Sequence, residues 1–242
     1  MMNPEIITLA KQFHLSVLYH GGFIPEREGL GGEEYLLSVL RAEAQARDKR
    51  MQAERAKQAR LPTYKGFEEF DTSFQKGVTR EQLETLEKLE WLDQIFNLVL
   101  IGPPGTGKTH LALAIGNKAV KEGYKVFFAT MDSLMHILKT REISTKSAAR
   151  VRWINKCDLV IIDEVGYLPV SKADANLFFS LISQLYQTAS VVITSNKGFS
   201  DWPEILGDSV LATALLDRLT HRCQVLDFDD ESWRLAHRKS IF

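Results

Sequence analysis

Gly102-Pro103-Pro104-Gly105-Thr106-Gly107-Lys108-Thr109 lies between an apolar run, Leu98 to Ile101, and a helix-like run from His110 to Val120. G-x-x-x-x-G-K-T between a strand and a helix is the spacing and context of a phosphate-binding loop. Glycines allow the tight turns that aim backbone N–H groups at phosphate oxygens. The N-terminus of the following helix adds positive potential at the same point. Lys108 can reach the β- and γ-phosphates of a nucleoside triphosphate, and the Thr109 hydroxyl can ligate Mg²⁺. The bland alternative is a Gly/Pro turn between two elements, which explains neither the lysine nor the threonine. The expected cofactor-binding residues are Gly102, Pro103, Pro104, Gly105, Thr106, Gly107, Lys108, Thr109 and His110, joined by Asp163.

Leu159-Val160-Ile161-Ile162-Asp163-Glu164 is an apolar run that ends in two carboxylates. At the C-terminal end of a parallel strand such acids face the ligand crevice. Asp163 can hold Mg²⁺ with Thr109, and Glu164 can orient and deprotonate an attacking water. Val191-Val192-Ile193-Thr194-Ser195-Asn196 is a second run of this kind, ending in hydrogen-bonding groups. Asn196 is its catalytic candidate, placed to contact the γ-phosphate or the water. Asn196-Lys197-Gly198-Phe199 departs from a guanine-reading N-K-x-D because Phe199 occupies the aspartate position, so ATP is preferred over GTP. In Leu215-Leu216-Asp217-Arg218-Leu219, Arg218 is a candidate to neutralise transition-state charge on a neighbour's γ-phosphate. A pair with Asp217 is the structural alternative, and Arg222 is the nearest rival.

These groups need a scaffold. Five apolar β-rich runs, Leu98–Ile101, Val126–Ala129, Leu159–Asp163, Val191–Ser195 and Gln224–Phe228, alternate with helical stretches. Runs that are apolar throughout suit a parallel sheet covered on both faces, with right-handed crossovers. Upstream, Asn3-Pro4 starts a helix. A glycine patch (Gly21, Gly22, Gly29, Gly31, Gly32) follows, then one long helix from Glu33 to Arg60 stopped by Pro62. Another helix is expected from about Thr79 to Ile95. The division is residues 1–62, a helical segment for partner or DNA interaction, and residues 63–242, the nucleotide-binding domain.

With 45% apolar and 25% charged residues among 242, the composition is that of a globular protein. A net charge of −1 leaves any nucleic-acid surface to local clusters. Cys157 and Cys223 support neither a zinc site nor a disulfide framework. No apolar run is long enough to span a membrane and no signal-peptide core is present, so the expected location is cytoplasmic.

The phosphate loop, the acidic strand end, the Asn-ended strand and the late Asp-Arg-Leu together resemble the AAA+ ATPases over about Thr63 to Phe242. Lys65-Gly66-Phe67-Glu68-Glu69-Phe70-Asp71, Gly102 to His110, Asp163-Glu164-Val165-Gly166-Tyr167 and Leu216-Asp217-Arg218-Leu219 are similar to the IstB/DnaC group. Ile162 to Leu168 and Val191 to Trp202 look closest to the IstB transposition helpers of IS21-type insertion sequences. The resemblance implies a P-loop α/β fold of the AAA+ (ASCE) type, with a five-stranded parallel sheet sandwiched by helices. It also implies ATP-dependent oligomerisation on double-stranded DNA, ATP sites at subunit interfaces, and cooperation with a transposase. Only Asp229 to Phe242 follows the last run, room for one short helix and not for the helical lid of general AAA+ proteins. Arg234 and Arg238 are therefore doubtful nucleotide contacts.

Between the second and third strands, Lys139, Arg141, Lys146, Arg150, Arg152 and Lys156 outnumber Asp132 and Glu142, and nearby hydroxyls can also meet phosphate. In helicase loaders and replication initiators the matching interval faces DNA. Lys139, Arg141, Lys146, Arg150 and Arg152 are thus the first DNA-binding candidates; an ordinary solvated helix is the alternative. The mixed-charge run Arg41 to Arg60 is a second place for DNA or a partner. The leading reading is a DNA-stimulated AAA+ ATPase that regulates a transposase. A replicative helicase loader has the same site and differs in the partner of residues 1–62. A DNA-binding scaffold with structural ATP leaves Glu164 unexplained, and a small-molecule kinase leaves Glu164, Asn196 and Arg218 unexplained.

Overall fold

A computed structural model describes residues 3–19, 29–167, 171–229 and 232–236. Gly21, Gly22, Leu168 and Arg238 lie outside the described residues, as does the side chain of Arg234. The chain divides into two compact units, Met1–Glu54 and Arg55–Phe242.

In the first unit, α1 (Pro4–Gln12) begins where the Asn3 side chain accepts from the Glu5 N–H. Helix α2 (Ser16–Tyr19) is fastened to α3 (Gly32–Ala59) by one buried carboxylate. Glu43 Oε2 accepts from the Val17 N–H at 2.7 Å, and Oε1 accepts from the Ser16 hydroxyl at 3.0 Å. Burial pushes this carboxyl up, but those bonds and Arg50 together outweigh it and hold it below the usual range. Helix α3 runs on into the second unit, where Ala59 is fully buried and Leu61 packs beside it.

The second unit holds α4 (Arg80–Lys88), α5 (Glu90–Asp93), β1 (Asn97–Ile101), α6 (Lys108–Glu122), β2 (Val126–Thr130), α7 (Met131–Thr140) and α8 (Thr145–Ile154). It continues with β3 (Leu159–Val165), α9 (Lys172–Leu185), β4 (Ser190–Ser195), α10 (Trp202–Leu206), α11 (Ser209–Thr220), β5 (Cys223–Asp227) and α12 (Trp233–Ala236). The helix expected from Thr79 to Ile95 is two, because Leu89 turns left-handed at φ 62°.

The five strands are all parallel, in the order β2-β3-β4-β1-β5. Side chains alternate between two apolar layers, as the period of two requires. Leu98, Leu100, Phe128 and Ile161 face Leu111 and Ile115 of α6. Val99, Phe127, Val160, Ile162 and Ile193 face Leu134, Phe178 and Leu215 of α7, α9 and α11. Strand β5 is less covered than its composition suggests: only Leu226 of its residues is buried, because it closes one edge. Every crossover in this topology delivers its strand with the C-terminal end toward the same rim. The loops after β1, β3 and β4, the three that carry candidate chemistry, therefore converge. No helix of the described residues is long and apolar enough to cross a membrane.

Candidate nucleotide-binding and hydrolytic site

The phosphate loop turns by left-handed glycines, with Gly102 at φ 146°, Gly105 at 86° and Gly107 at 96°. The space around them is as restrictive as the dihedrals. A Cβ on Gly102 would lie 2.2 Å from the Phe228 carbonyl oxygen, and one on Gly105 would lie 2.2 Å from Ser232 Oγ. Lys108 opens α6 and its ammonium donates to the Gly102 and Pro103 carbonyls at 2.7 and 2.6 Å and to Thr106 Oγ1 at 3.3 Å. A buried cation held over the curve of the loop is the feature that selects an anionic ligand.

The loop joins β3 through Thr109, whose hydroxyl donates to Asp163 Oδ1 at 2.9 Å. The same carboxylate oxygen accepts a short bond from the Thr194 hydroxyl of β4. Thr194 Oγ1 in turn accepts from the Glu164 N–H at 3.0 Å. Four residues from three elements thus form one chain of bonds, and both Asp163 and Thr194 are buried. The hydroxyl and carboxylate oxygens of Thr109 and Asp163 are the hard donors that Mg²⁺ takes when phosphates complete its shell. Among the described residues no group of three or more His, Cys, Asp or Glu could hold an ion by itself.

Glu164 is set apart by backbone geometry. Between Ile162 and Val165, β3 carries one extra residue relative to β4, a bulge, and Glu164 has φ 63°. A non-glycine residue in the left-handed region is costly and needs its surroundings to hold it there. Its consequence here is that consecutive carboxylates serve one site. Asp163 bonds to Thr109, while Glu164 is exposed and lines a cavity of about 680 Å³ over the phosphate loop. Strand β3 therefore does not end at Asp163, as the apolar run suggests, but continues through the bulge to Val165.

That cavity brings together Lys108, Thr109, His110, Glu164 and Asn196. Asn196 is exposed, one residue beyond β4, with Thr194 as the buried polar group behind it. The opposite wall comes from the segment before α4. Asn117 holds that segment by donating to the Lys65 carbonyl at 3.1 Å, and Lys65 pairs with Glu69 at 2.8 Å. His110 meets Phe70 edge-on with ring centroids 5.5 Å apart. Burial pushes the His110 imidazole below its usual range, against the Gly66 carbonyl that favours its protonated form.

Arg218 is elsewhere. Its guanidinium donates to the Ala214 carbonyl at 2.9 Å and lies 4.6 Å from the centre of the Phe179 ring. It shares a cavity of about 320 Å³ with Arg222, His221 and Asn97, at the N-terminal rim of the sheet. The strands put roughly 15 Å between that rim and the phosphate loop, at about 3.3 Å per residue. Neither arginine is in an ion pair among the described residues, and Arg222 donates to the Gln94 carbonyl at 3.1 Å.

Helices α7 and α8 form a hairpin that carries the basic candidates. Lys139 is bound to Asp174 at 2.8 Å, and Arg141 to Glu142 at 3.5 Å. Lys146 and Arg150, one turn apart, line a groove with Arg60, Thr140 and Ser144. Burial and the like charge of Arg60 both push Arg150 down. Arg152 is exposed outside that groove. The two thiols are inert by burial, which pushes Cys157 up to about 12 and Cys223 to about 11.

Sequence reasoning missed three residues. Thr194 was visible only as part of a polar strand end. Arg60 was lost in a long mixed-charge helix. Gln75, 3% exposed, lines the nucleotide cavity with neither carboxamide atom paired among the described residues. No sequence signal separates it from any other glutamine.

The strand order, the loop and the carboxylates at the strand ends define a P-loop α/β nucleotide-binding protein of the AAA+ type. The crystal structure of DnaI is similar, with TM-score 0.58, 18% identity, and coverage of 69% of this chain and 91% of that one. AMPPCP-bound DnaA from Aquifex aeolicus is also similar, with TM-score 0.55, 24% identity, and 72% and 52% coverage. The model of the IstB-like ATP binding protein family matches residues 25–241. A Pseudomonas aeruginosa protein named for insertion sequence IS21 as an ATP-binding protein is 40% identical over 97% of this chain and 89% of its own. A Geobacillus stearothermophilus counterpart named for IS5376 is 38% identical over 85% and 82%. The chain belongs to the IstB-like ATP-binding family.

Proposed function

We propose that the protein is an ATP hydrolase that assembles head to tail on double-stranded DNA and, in that state, assists the transposase of an insertion sequence. The observation that carries the hydrolytic part is the bonded array Thr109–Asp163–Thr194–Glu164, which holds one carboxylate at the loop and aims the next into the cavity. When bound, Mg²⁺ would be held by Thr109 and Asp163 and would neutralise phosphate charge. Lys108 and the loop position the triphosphate. Glu164 accepts a proton from water as its oxygen bonds to the γ-phosphorus and the bond to the β–γ bridging oxygen breaks. Asn196 is placed to orient that water or the γ-phosphate.

Arg218 lies too far from its own loop to serve it, and its rim position supports a role at a neighbour's nucleotide. Arg60, Lys146 and Arg150 supply phosphate-contacting charge for DNA, with Arg152 a peripheral contact. Lys139 and Arg141 would reach phosphate only after leaving Asp174 and Glu142. The relatives' names, all tied to insertion sequences, favour a transposase over a replicative helicase as partner.

The test mixes two inactive proteins, Lys108→Ala and Arg218→Ala, on DNA. Some interfaces then pair an intact loop with an intact arginine, so part of the ATPase activity should return. Glu164→Gln is the control for chemistry and should bind ATP yet turn over about 10²-fold more slowly. Mixed oligomers that form but regain nothing would refute action across the interface. Unchanged turnover in Glu164→Gln would remove Glu164 from the reaction.

A further inference from the structure

Resting on the ATP reading above, we propose that the Gln75 carboxamide reads the adenine edge of the nucleotide and sets the base preference of the site. Gln75 is 3% exposed, and among the described residues neither its Nε2 nor its Oε1 has a hydrogen-bond partner. Leaving both ends of a buried amide unmade is costly, and such pairs are rare without a reason. Of the buried side chains whose polar atoms go unpaired among the described residues, Gln75 is the one that lines the nucleotide cavity. Trp153, Ser190 and Trp202 do not.

The position is defined by the phosphate loop itself. A Cβ built on Gly107 would lie 3.0 Å from Gln75 Oε1 and 3.3 Å from Phe70 Cε2. The amide therefore sits where the loop meets the start of α6. Phe70, His110 and Trp233 line the same cavity, and Phe70, which also lies against Gly107, meets His110 edge-on. Lys108 and the loop backbone serve the phosphates. An apolar, aromatic wall with one unpaired donor–acceptor pair suits a flat base with a polar edge.

The chemistry of the pair specifies which base. A carboxamide offers an acceptor and a donor side by side. Adenine offers an amino donor beside a ring-nitrogen acceptor, so both bonds form at once. Guanine and hypoxanthine carry an oxygen in place of that amino group. On the N7 edge, where the N6 and N7 atoms of adenine take the pair, O6 and N7 are two acceptors facing the glutamine, and its oxygen is left unpaired. Adenine is accepted and the 6-oxopurines are penalised by one side chain.

The test measures calorimetric affinities of the full-length protein for ATP, ITP and dATP, in the wild type and in Gln75→Leu. Wild type should bind ATP about 10-fold or more tighter than ITP, the discrimination expected of a bidentate pair. Gln75→Leu should lose most of that preference by weakening ATP while leaving ITP nearly unchanged. Melted without nucleotide, Gln75→Leu should be as stable as wild type or more so, because an unpaired buried amide is gone. That melt separates a folded variant from a damaged one, and Gln75→Met is the substitute if leucine does not fit. An ATP-to-ITP ratio equal in wild type and variant would overturn the assignment. So would loss of ATP with dATP spared, which would place the amide on the ribose 2′-hydroxyl. Wild-type protein that binds none of the three would instead overturn the ATP reading on which this rests.

Discussion

Replacing Thr194 by valine tests the bonded array that underlies the proposed chemistry. Valine keeps the branched shape that a buried strand accepts and removes one oxygen. That oxygen donates to Asp163 and accepts from the Glu164 N–H, in a residue 2% exposed. The loss is one bond to a charged group, typically about 1.5–3 kcal/mol, plus a part-buried N–H without an acceptor, typically about 1–3 kcal/mol. Some relaxation is expected, so about 3 kcal/mol is a fair total. At 2–4 °C per kcal/mol for a domain of this size, the melting temperature should fall by roughly 6–12 °C. Turnover should fall as well, because the Glu164 backbone loses the bond that helps hold its left-handed turn. Thr194→Ser, which restores the hydroxyl, should recover most of both losses. Thermal unfolding by circular dichroism and steady-state ATPase rates read the outcome. A valine variant that melts within a degree of wild type would show that the array does not hold the site together.

Two further outcomes follow from the charges. The His110 imidazole has its pKa lowered below 6.5 by burial, so the unfolded chain takes up that proton first as pH falls. Its contribution to stability is whole above about pH 6.5 and is lost below it; wild-type protein should therefore lose more stability between pH 7 and 5.5 than His110→Asn does. Parallel curves would exclude this histidine as a source of the pH dependence. For DNA, the double variant Arg60→Ala, Arg150→Ala should flatten the log–log dependence of affinity on salt by about two units at most, while Arg152→Ala should change it by one or less. An identical slope in wild type and the double variant would place the DNA elsewhere, with the outer face of α3 next to test.

What the sequence made legible was whatever is decided locally. The phosphate loop needs its glycines, lysine and threonine in consecutive places, so the residues at 102–109 announced it. The strands were legible because each is an apolar run between turns, and the crossovers fix their direction. The bulge at Glu164 was not legible, since a left-handed glutamate is held by a tertiary bond to Thr194 and by its pairing with β4. Thr194 lost out to Asn196 in reading the polar end of β4 for the same reason. Side-chain type suggests a strand-end role, but only the pairing register says which residue points at Asp163. The basic cluster of α7 and α8 looked uniform in sequence. The fold sorts it by supplying Asp174 from α9 to one lysine and Arg60, just past the end of α3, to one groove.

With Arg218 at one rim of the sheet and the phosphate loop at the other, the proposed action across an interface would give each subunit a giving end and a receiving end. A two-fold dimer brings a patch against its own copy, so it cannot join giving end to receiving end at both partners in this way. Repeating the join yields a row or, when the rotation closes, a ring. In a row, one terminal loop always waits for an arginine that no neighbour supplies. Under the proposed trans action of Arg218, ATP at that tip would outlive ATP in the interior, and the row would carry its own fresh cap for as long as it grows. Hydrolysis per subunit would then rise with row length and level off, and a ring would have no tip at all. On that proposal the plain separation of two side chains across a sheet would act as a clock: older subunits would lie inside, and their nucleotide would be spent first.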